Sequence, residues 1–428
     1  MAIPRLRFKE FDGDWEQSSL AKLTNYFKGY AFKSESYKQS GVRIIRVSDL
    51  GRARIKYDND AIYLDESEKS NYEKWLIKKD DIVITTVGSK PHLVDSAVGR
   101  PIYLKNDNEG LLNQNLLVLR PIEQKINAYF IYSQLQDQRY LTHIESIQRG
   151  NANQSNITVK ELQEFKLFNT LEEEQTKIAY FLSSVDDKIA QLTQEYELLS
   201  EYKKGMMQQL FSQNLRFKAD DGSDFEDWKE TTFSQSFNFH MTNSCSREKL
   251  SEQGEVMNIH YGDIHTKFST LFDASKEIVP FLKDKADCLK IKEDQFLQVG
   301  DLVIADASED YKDIGKSIEI VNMENNKVVA GLHTYIARPS QPHALGFCGY
   351  MMQTNKVRKQ IQILATGISV LGISKTNLGK LIIELPSLDE QAKIANFLSA
   401  IDQKIDNVAA QIDQAQVWKK GLLQQMFV

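Results

Sequence analysis

From Ile178 the apolar residues recur through Leu182, Val185, Ile189, Leu192 and Tyr196 to Leu199, in steps of 4, 3, 4, 3, 4 and 3, and continue at Met206 and Leu210. A second run repeats the rhythm at Ile394, Leu398, Ile401, Ile405, Val408, Ile412, Ala415, Leu422 and Met426. A sustained 3.5-residue period is a coiled-coil seam rather than the broader stripe of a globular surface helix. The skipped position is the same in both runs, Lys203 and Lys419. At a fixed offset of 216, Glu174–Phe211 and Glu390–Phe427 stay in register without a gap over 38 positions, from EQTKIAYFLSSVDDKI and EQAKIANFLSAIDQKI to KKGMMQQLF and KKGLLQQMF. That register disfavours two unrelated amphipathic helices. Each run predicts a helix of about 57 Å. Thr170 with Glu173 and Ser387 with Glu390 predict capping boxes at the two starts. Each helix follows its own globular segment, a layout that favours an antiparallel pair.

The segments ahead of the helices repeat more loosely. LRFKEFDGDW at Leu6–Trp15 answers LRFKADDGSDFEDW at Leu215–Trp228. IIRVSDL (Ile44–Leu50) parallels MNIHYGDI (Met257–Ile264), and KKDDIVITTVGS (Lys78–Ser89) parallels QVGDLVIADAS (Gln298–Ser308). The latter two read as a turn feeding a buried strand, punctuated by acid with glycine or aspartate. RGNANQSNITVKEL and ATGISVLGISKTNL share a glycine turn, an isoleucine strand and a leucine. Helical stretches are expected at 127–146 and 345–363. The reading is α+β, two pseudo-repeated globular domains joined by two long helices that form an antiparallel coiled coil. The expected boundaries are 1–169 and 214–386 for the domains, 170–213 and 387–428 for the helices.

At 428 residues the chain exceeds one core. Its 41% hydrophobic and 26% charged residues fit an ordinary globular protein. No apolar run approaches the roughly 20 residues of a membrane span. MAIPRLRFKEF lacks the apolar core of a signal peptide, and the odd, dispersed Cys245, Cys288 and Cys348 fit a reducing compartment; a cytoplasmic protein is expected. His260 and His265 are five apart, a poor ligand spacing, so no metal is expected. The acidic run Asp306, Glu309, Asp310 and Asp313 reads as a solvated loop. No phosphate loop, dinucleotide-binding glycine motif or nucleophile elbow occurs, and no Asn/Asp-Pro-Pro pattern of an amino-methyltransferase pocket. A binding module without catalytic residues or cofactor is expected.

The net charge of −6 argues against nucleic acid until it is divided along the chain. Residues 1–150 hold 23 basic and 20 acidic residues, a net +3; 151–213 hold 6 and 10, a net −4. Residues 214–380 hold 20 and 23, a net −3; 381–428 hold 4 and 6, a net −2. Between Lys28 and Lys56 basic residues predominate, with Tyr26, Phe27, Tyr30, Phe32 and Tyr37 interleaved or adjacent, a mixture suited to phosphate contact and base-edge reading. A solvated basic face over an aromatic core is equally consistent with charge alone. The candidates on the first segment are Lys28, Lys33, Arg43, Arg46, Arg52 and Arg54. On the second they are Ser244, Arg247, His260, Tyr261, His333 and Lys375, polar residues expected at strand ends and turns.

The doubled EQxKIAxFLS helix ending in KKG and QQ, with LRFKEF…W, FKGYAFKS and NQNLLVLRP in the first segment and HYGDI, GDLVIADASED and GLHTYIARP in the second, resembles the specificity subunit of type I restriction–modification systems over essentially the whole chain. One departure is FNTLEEEQ, without proline and with an extra acid, where the second copy has LPSLDEQ. The resemblance implies two target recognition domains, each reading half of a split double-stranded DNA site. It implies helices that set the gap and dock two methyltransferase subunits, with motor-nuclease subunits joining the complex. The rival reading is a coiled-coil adaptor whose globular units bind proteins.

Overall fold

The computed structural model describes residues 4–51, 54–57, 59–90, 97–123, 125–151 and 154–427. Compactness divides the chain into unit one, Met1–Gln194 with Ala409–Val428, and unit two, Glu195–Val408. Each unit takes part of both long helices, which span Glu172–Phe211 and Leu388–Met426.

Unit one is organised on a four-stranded antiparallel sheet in the order Thr24–Lys28, Leu116–Pro121, Ile82–Thr85 and Pro101–Tyr103. The strand Ile82–Thr85 is buried throughout, as its unbroken IVIT composition predicts. Unit two repeats the frame with Phe237–His240, Thr334–Pro339, Leu302–Ala305 and Ser317–Asn322, and adds Leu271–Asp273 in parallel at the edge. The turn before each central strand is the predicted punctuation: Asp80 and Gly300 both adopt positive φ, 69° and 93°. The next residue, Asp81 or Asp301, is buried and accepts two hydrogen bonds from one arginine on the neighbouring strand. Arg120 donates to Asp81 at 2.7 and 2.8 Å, and Arg338 to Asp301 at 2.9 and 2.8 Å.

The long helices are anchored in the same way in each unit. Glu174 is fully buried and accepts from Arg7 Nε and Nη2 at 2.7 and 2.8 Å and from Trp15 Nε1 at 3.1 Å. Burial pushes the Glu174 carboxyl up, but hydrogen bonds from Arg7, Thr170 and Trp15 outweigh it and hold its pKa below the ordinary value. In unit two Glu390 accepts from Arg216 at 3.1 and 2.9 Å and from Trp228 Nε1 at 3.1 Å. The repeated LRFK…W motif is thus a clamp on the helix start.

This corrects the capping expectation. The Thr170 hydroxyl donates to Glu174, not Glu173, and Glu390 turns its carboxylate to Arg216 while only its N–H reaches Ser387 Oγ, at 3.5 Å. A buried charge partner outcompetes the reciprocal arm of a capping box. The expected helices at 127–146 and 345–363 are each two helices. Asp137 caps a new start at Gln138 in the first, and Thr354 caps one at Asn355 in the second.

The seam does two jobs. In unit one Ile178, Leu182 and Val185 share a core with Trp15, Phe130 and Phe168 and with Leu422, Leu423, Met426 and Phe427 of the other helix. In unit two Ile394, Leu398 and Ile401 share one with Leu210, Phe347 and Tyr350, flanked by Met206. The opening turns of one helix thus meet the closing turns of the other, as in an antiparallel pair. Tyr196 is 38% exposed, so the seam is driest near the helix starts. The skipped seam lysines find acids: Lys419 meets Asp186 at 2.5 Å in unit one, and Lys203 meets Asp402 at 2.5 Å in unit two. These are the same pair with the helices exchanged, because 216 residues separate Asp186 from Asp402 and Lys203 from Lys419. A tyrosine joins each acid, Tyr129 at 2.5 Å and Tyr350 at 2.7 Å.

Candidate nucleic-acid interface

Five of the six candidates in unit two form one connected surface. The strand Val256–Ile259 ends at His260, which caps the short helix Tyr261–Thr266. His260 Nδ1 accepts from the Gly262 N–H at 3.1 Å and lies 3.1 Å from Arg247 Nη2. Two donors on one ring nitrogen require that nitrogen to be bare, so the imidazole carries its proton on Nε2. Burial, then the charge of Arg247, pushes its pKa below the ordinary value, which also favours the neutral ring. Tyr261 packs against the His333 ring with centroids 5.4 Å apart. His333 is exposed at φ 57° and lies 3.2 Å from Asp306, so part of the predicted acidic loop holds a histidine. Burial, then Asp306, pushes the Tyr335 hydroxyl up to about 12, and Lys375 sits over the Tyr335 ring at 5.1 Å. Ser244 is exposed nearby in sequence, ahead of the short helical turn Arg247–Lys249. Among the described residues no group of three or more His, Cys, Asp or Glu side chains converges to hold a metal.

Unit one separates its candidates. Lys28, Lys33 and Arg54 are exposed. Arg43 is tied back to Lys56 O at 2.5 Å and Asn59 Oδ1 at 3.0 Å and lies over the Tyr57 ring at 5.1 Å. Arg46 grips the buried Asp49 through Nε and Nη2 at 3.1 and 3.0 Å. Arg52 lies outside the described residues. Beside the lysines Tyr30 and Phe32 join Tyr72 and Trp75 in one aromatic cluster, with Tyr30 and Trp75 centroids 4.7 Å apart.

Sequence reasoning missed Tyr72 and Trp75, which lie some forty positions beyond Tyr30, with no periodic signal linking them. It also missed Asp263. That residue is 1% exposed and pairs as an ion with Arg247 Nη2 and Lys267 Nζ, each 3.0 Å from its Oδ1, while neither of its carboxylate oxygens accepts a hydrogen bond. The alignment of IIRVSDL with MNIHYGDI held the signal, since it superposes Asp49 on Asp263.

Two copies of one scaffold, each with a long helix clamped at its start, define a class of internally duplicated two-domain chains. The type I restriction modification DNA specificity domain matches residues 12–201 and again 226–416, and the chain belongs to that family as a specificity subunit with two target recognition domains. It is 24% identical over 424 residues to the MjaX specificity subunit of Methanocaldococcus jannaschii, assigned to a type I restriction enzyme, covering 97% of this chain and 93% of that one. The MjaVIII specificity subunit of the same organism is 23% identical over 447 residues, covering 97% and 94%. The crystal structure of the type I restriction-modification S subunit from M. genitalium has the same fold, with a TM-score of 0.62 at 16% identity over 100% of this chain and 99% of that one. No helix among the described residues is long and apolar enough to cross a membrane.

Proposed function

We propose that this subunit reads a bipartite double-stranded DNA site in the cytoplasm, one half per recognition domain, and catalyses nothing itself. In this reading residues 1–169 and 214–386 are the readers. Residues 170–213 and 387–428 set the gap and dock two methyltransferase subunits, to which motor-nuclease subunits are added; no cofactor is needed. The observation that carries it is the contrast between a repeated frame and unrepeated surfaces. The clamps Arg7–Glu174–Trp15 and Arg216–Glu390–Trp228 are alike. The exposed candidates are not: unit one offers Lys28, Lys33 and Arg54 beside an aromatic cluster, and unit two offers Arg247, Tyr261 and His333. Two different surfaces on one scaffold suit two different half-sites. A helix of about 57 Å matches roughly 17 base pairs of duplex, room for two half-sites and a gap.

Methylome sequencing of a host carrying this chain with its methyltransferase partners tests the reading. A bipartite motif is expected. Adding one heptad to both helices, after Thr193 and after Ala409, lengthens each by about 10.5 Å and should widen the gap by about three base pairs with both half-sites unchanged. An active variant whose half-sites change while the gap stays fixed would sink the ruler. Charge reversal at Lys28, Lys33 and Arg54 should weaken DNA binding and lower its salt slope by about one per lost phosphate contact.

A further inference from the structure

Four arginines in the two units lean on a buried aspartate after a turn, and one differs from the rest. Arg120, Arg338 and Arg46 each engage their aspartate through both Nε and Nη2. Their forks are spent inside the protein. Arg247 hydrogen-bonds His260 through Nη2, which also lies 3.0 Å from Asp263 Oδ1, and its side chain is 50% exposed. No hydrogen bond among the described residues occupies its Nε or Nη1. The neutral His260 ring holds one corner of the guanidinium through Nδ1, and the buried carboxylate draws the same nitrogen as an ion pair. Lys267 lies on the same Asp263 oxygen at 3.0 Å, so the site carries two exposed cations on one buried anion. That leaves a net positive charge, and neither Asp263 oxygen has a hydrogen bond to stabilise a lone carboxylate.

We propose that Arg247 is a specificity-determining residue of unit two that reads a guanine in that unit's half-site, and that Asp263 is its positioning residue. The inference rests on the DNA-reading function proposed above and deepens it. A guanidinium hydrogen-bonded through one Nη2 hydrogen keeps the second Nη2 hydrogen beside the unoccupied Nη1, and such an adjacent pair of donors matches the paired O6 and N7 acceptors that guanine presents in the major groove. Adenine offers a donor at one of those places and thymine a methyl group. Tethering Arg247 before binding reduces the side-chain freedom lost on contact. Unit one has no such device at the aligned position, because Arg46 and Asp49 satisfy each other.

The test is methylome sequencing with the full chain and its partners, comparing the unaltered protein with Arg247→Lys, Asp263→Asn and the double variant. Arg247 is at the surface, so Arg247→Lys keeps the charge and the fold while removing the fork. The unaltered motif should contain a G·C pair in the half assigned to unit two by exchanging that unit. Arg247→Lys should relax that one position by about 5- to 100-fold in discrimination. Asp263→Asn should relax the same position more weakly, with the double variant no worse than Arg247→Lys and the other half-site unchanged. A motif unaltered in Arg247→Lys overturns the inference, as does relaxation at an A·T pair or a unit-two half without guanine. Arg247→Ala, which removes the charge as well, separates a phosphate contact. Uniformly weaker methylation in that variant with the motif intact would assign Arg247 to the backbone and overturn base reading. Each of these leaves DNA recognition by the chain standing; absence of any bipartite motif with the unaltered chain would remove both.

Discussion

Units one and two bury an aspartate at the same place, after strands Val42–Ile45 and Val256–Ile259, and neutralise it from opposite directions. Asp49 is satisfied by Arg46, three residues before it in the same turn, and by the Arg46 N–H at 2.6 Å. Asp263 faces a histidine at the position of Arg46 and draws its cations from Arg247, on a distant loop, and Lys267, a turn later. The first solution closes a local network. The second leaves donors at the surface. A shared buried acid is therefore part of the frame, while the cation that answers it is free to differ, and with it the face presented outward.

The comparison predicts which perturbations act on one unit and which on both. The largest effect is expected from removing residues 422–428. The deletion takes Leu422, Leu423, Met426 and Phe427 out of the core of unit one. At about 1.5–3 kcal/mol for each buried apolar side chain, unit one should lose upward of ~6 kcal/mol. Hydrogen exchange should show lost protection around Trp15 and Phe130 with unit two protected as before. Equal loss in both units would break the division. Next come Glu174→Ala and Glu390→Ala, which leave a partly buried arginine and an indole N–H without their acceptor; about 1–3 kcal/mol is expected for each in chemical denaturation. A large difference between them would show that the two clamps are not equivalent.

A smaller effect separates the units by pH. Glu319 is buried in unit two, where desolvation raises its carboxyl to about 7 although the Gly346 and Gly349 N–H groups donate to it at 2.7 and 2.6 Å. Its partner in the register is Leu302; in unit one Ile82 pairs with Tyr103, which cannot titrate in this range. The folded state holds the Glu319 proton more tightly than the unfolded state. Stability from this group is therefore full below about pH 4.5 and falls as pH rises toward 7. Glu319→Gln should remove that part of the slope in unit two and leave unit one unchanged. An unaltered slope would place the titration elsewhere. The smallest effect is expected from Lys419→Ala and Lys203→Ala, about 1 kcal/mol each for partly buried pairs. Reversing one pair, Asp186→Lys with Lys419→Asp, should restore what either single reversal loses; no rescue would mean the pair does not set the register.

The repeat, the seam and the buried central strands were legible because each is written as local period or as identity at a fixed offset. The LRFK…W motif was visible without its purpose, since its partner Glu174 lies more than 150 residues away and looks like any helix-start acid. The breaks at Leu135–Asp137 and Thr354 were missed because apolar residues continue across them while the caps, Asp137 and Thr354, are ordinary polar residues in a helical run. Arg43 and Arg46 could not be told from Lys28 and Lys33 by composition: charge is read from sequence, but whether a guanidinium is already spent depends on tertiary neighbours. His260, Tyr261 and His333 meet because the parallel pairing of Val256–Ile259 with Lys327–Ala330 brings their loops together, and pairing partners are not encoded in period.

The discontinuity of unit one also orders events in time. Unit two is a single stretch, Glu195–Val408, whereas unit one is completed by residues after Ala409. On a ribosome adding about 5–20 residues per second, the intervening stretch of just over two hundred residues takes roughly 10–40 s to emerge. Through that interval Trp15, Phe130 and Leu182 wait for Phe427 and Met426. The domain begun first is thus completed after the other, and it spends its youth with an apolar face that Leu422, Leu423, Met426 and Phe427 later cover.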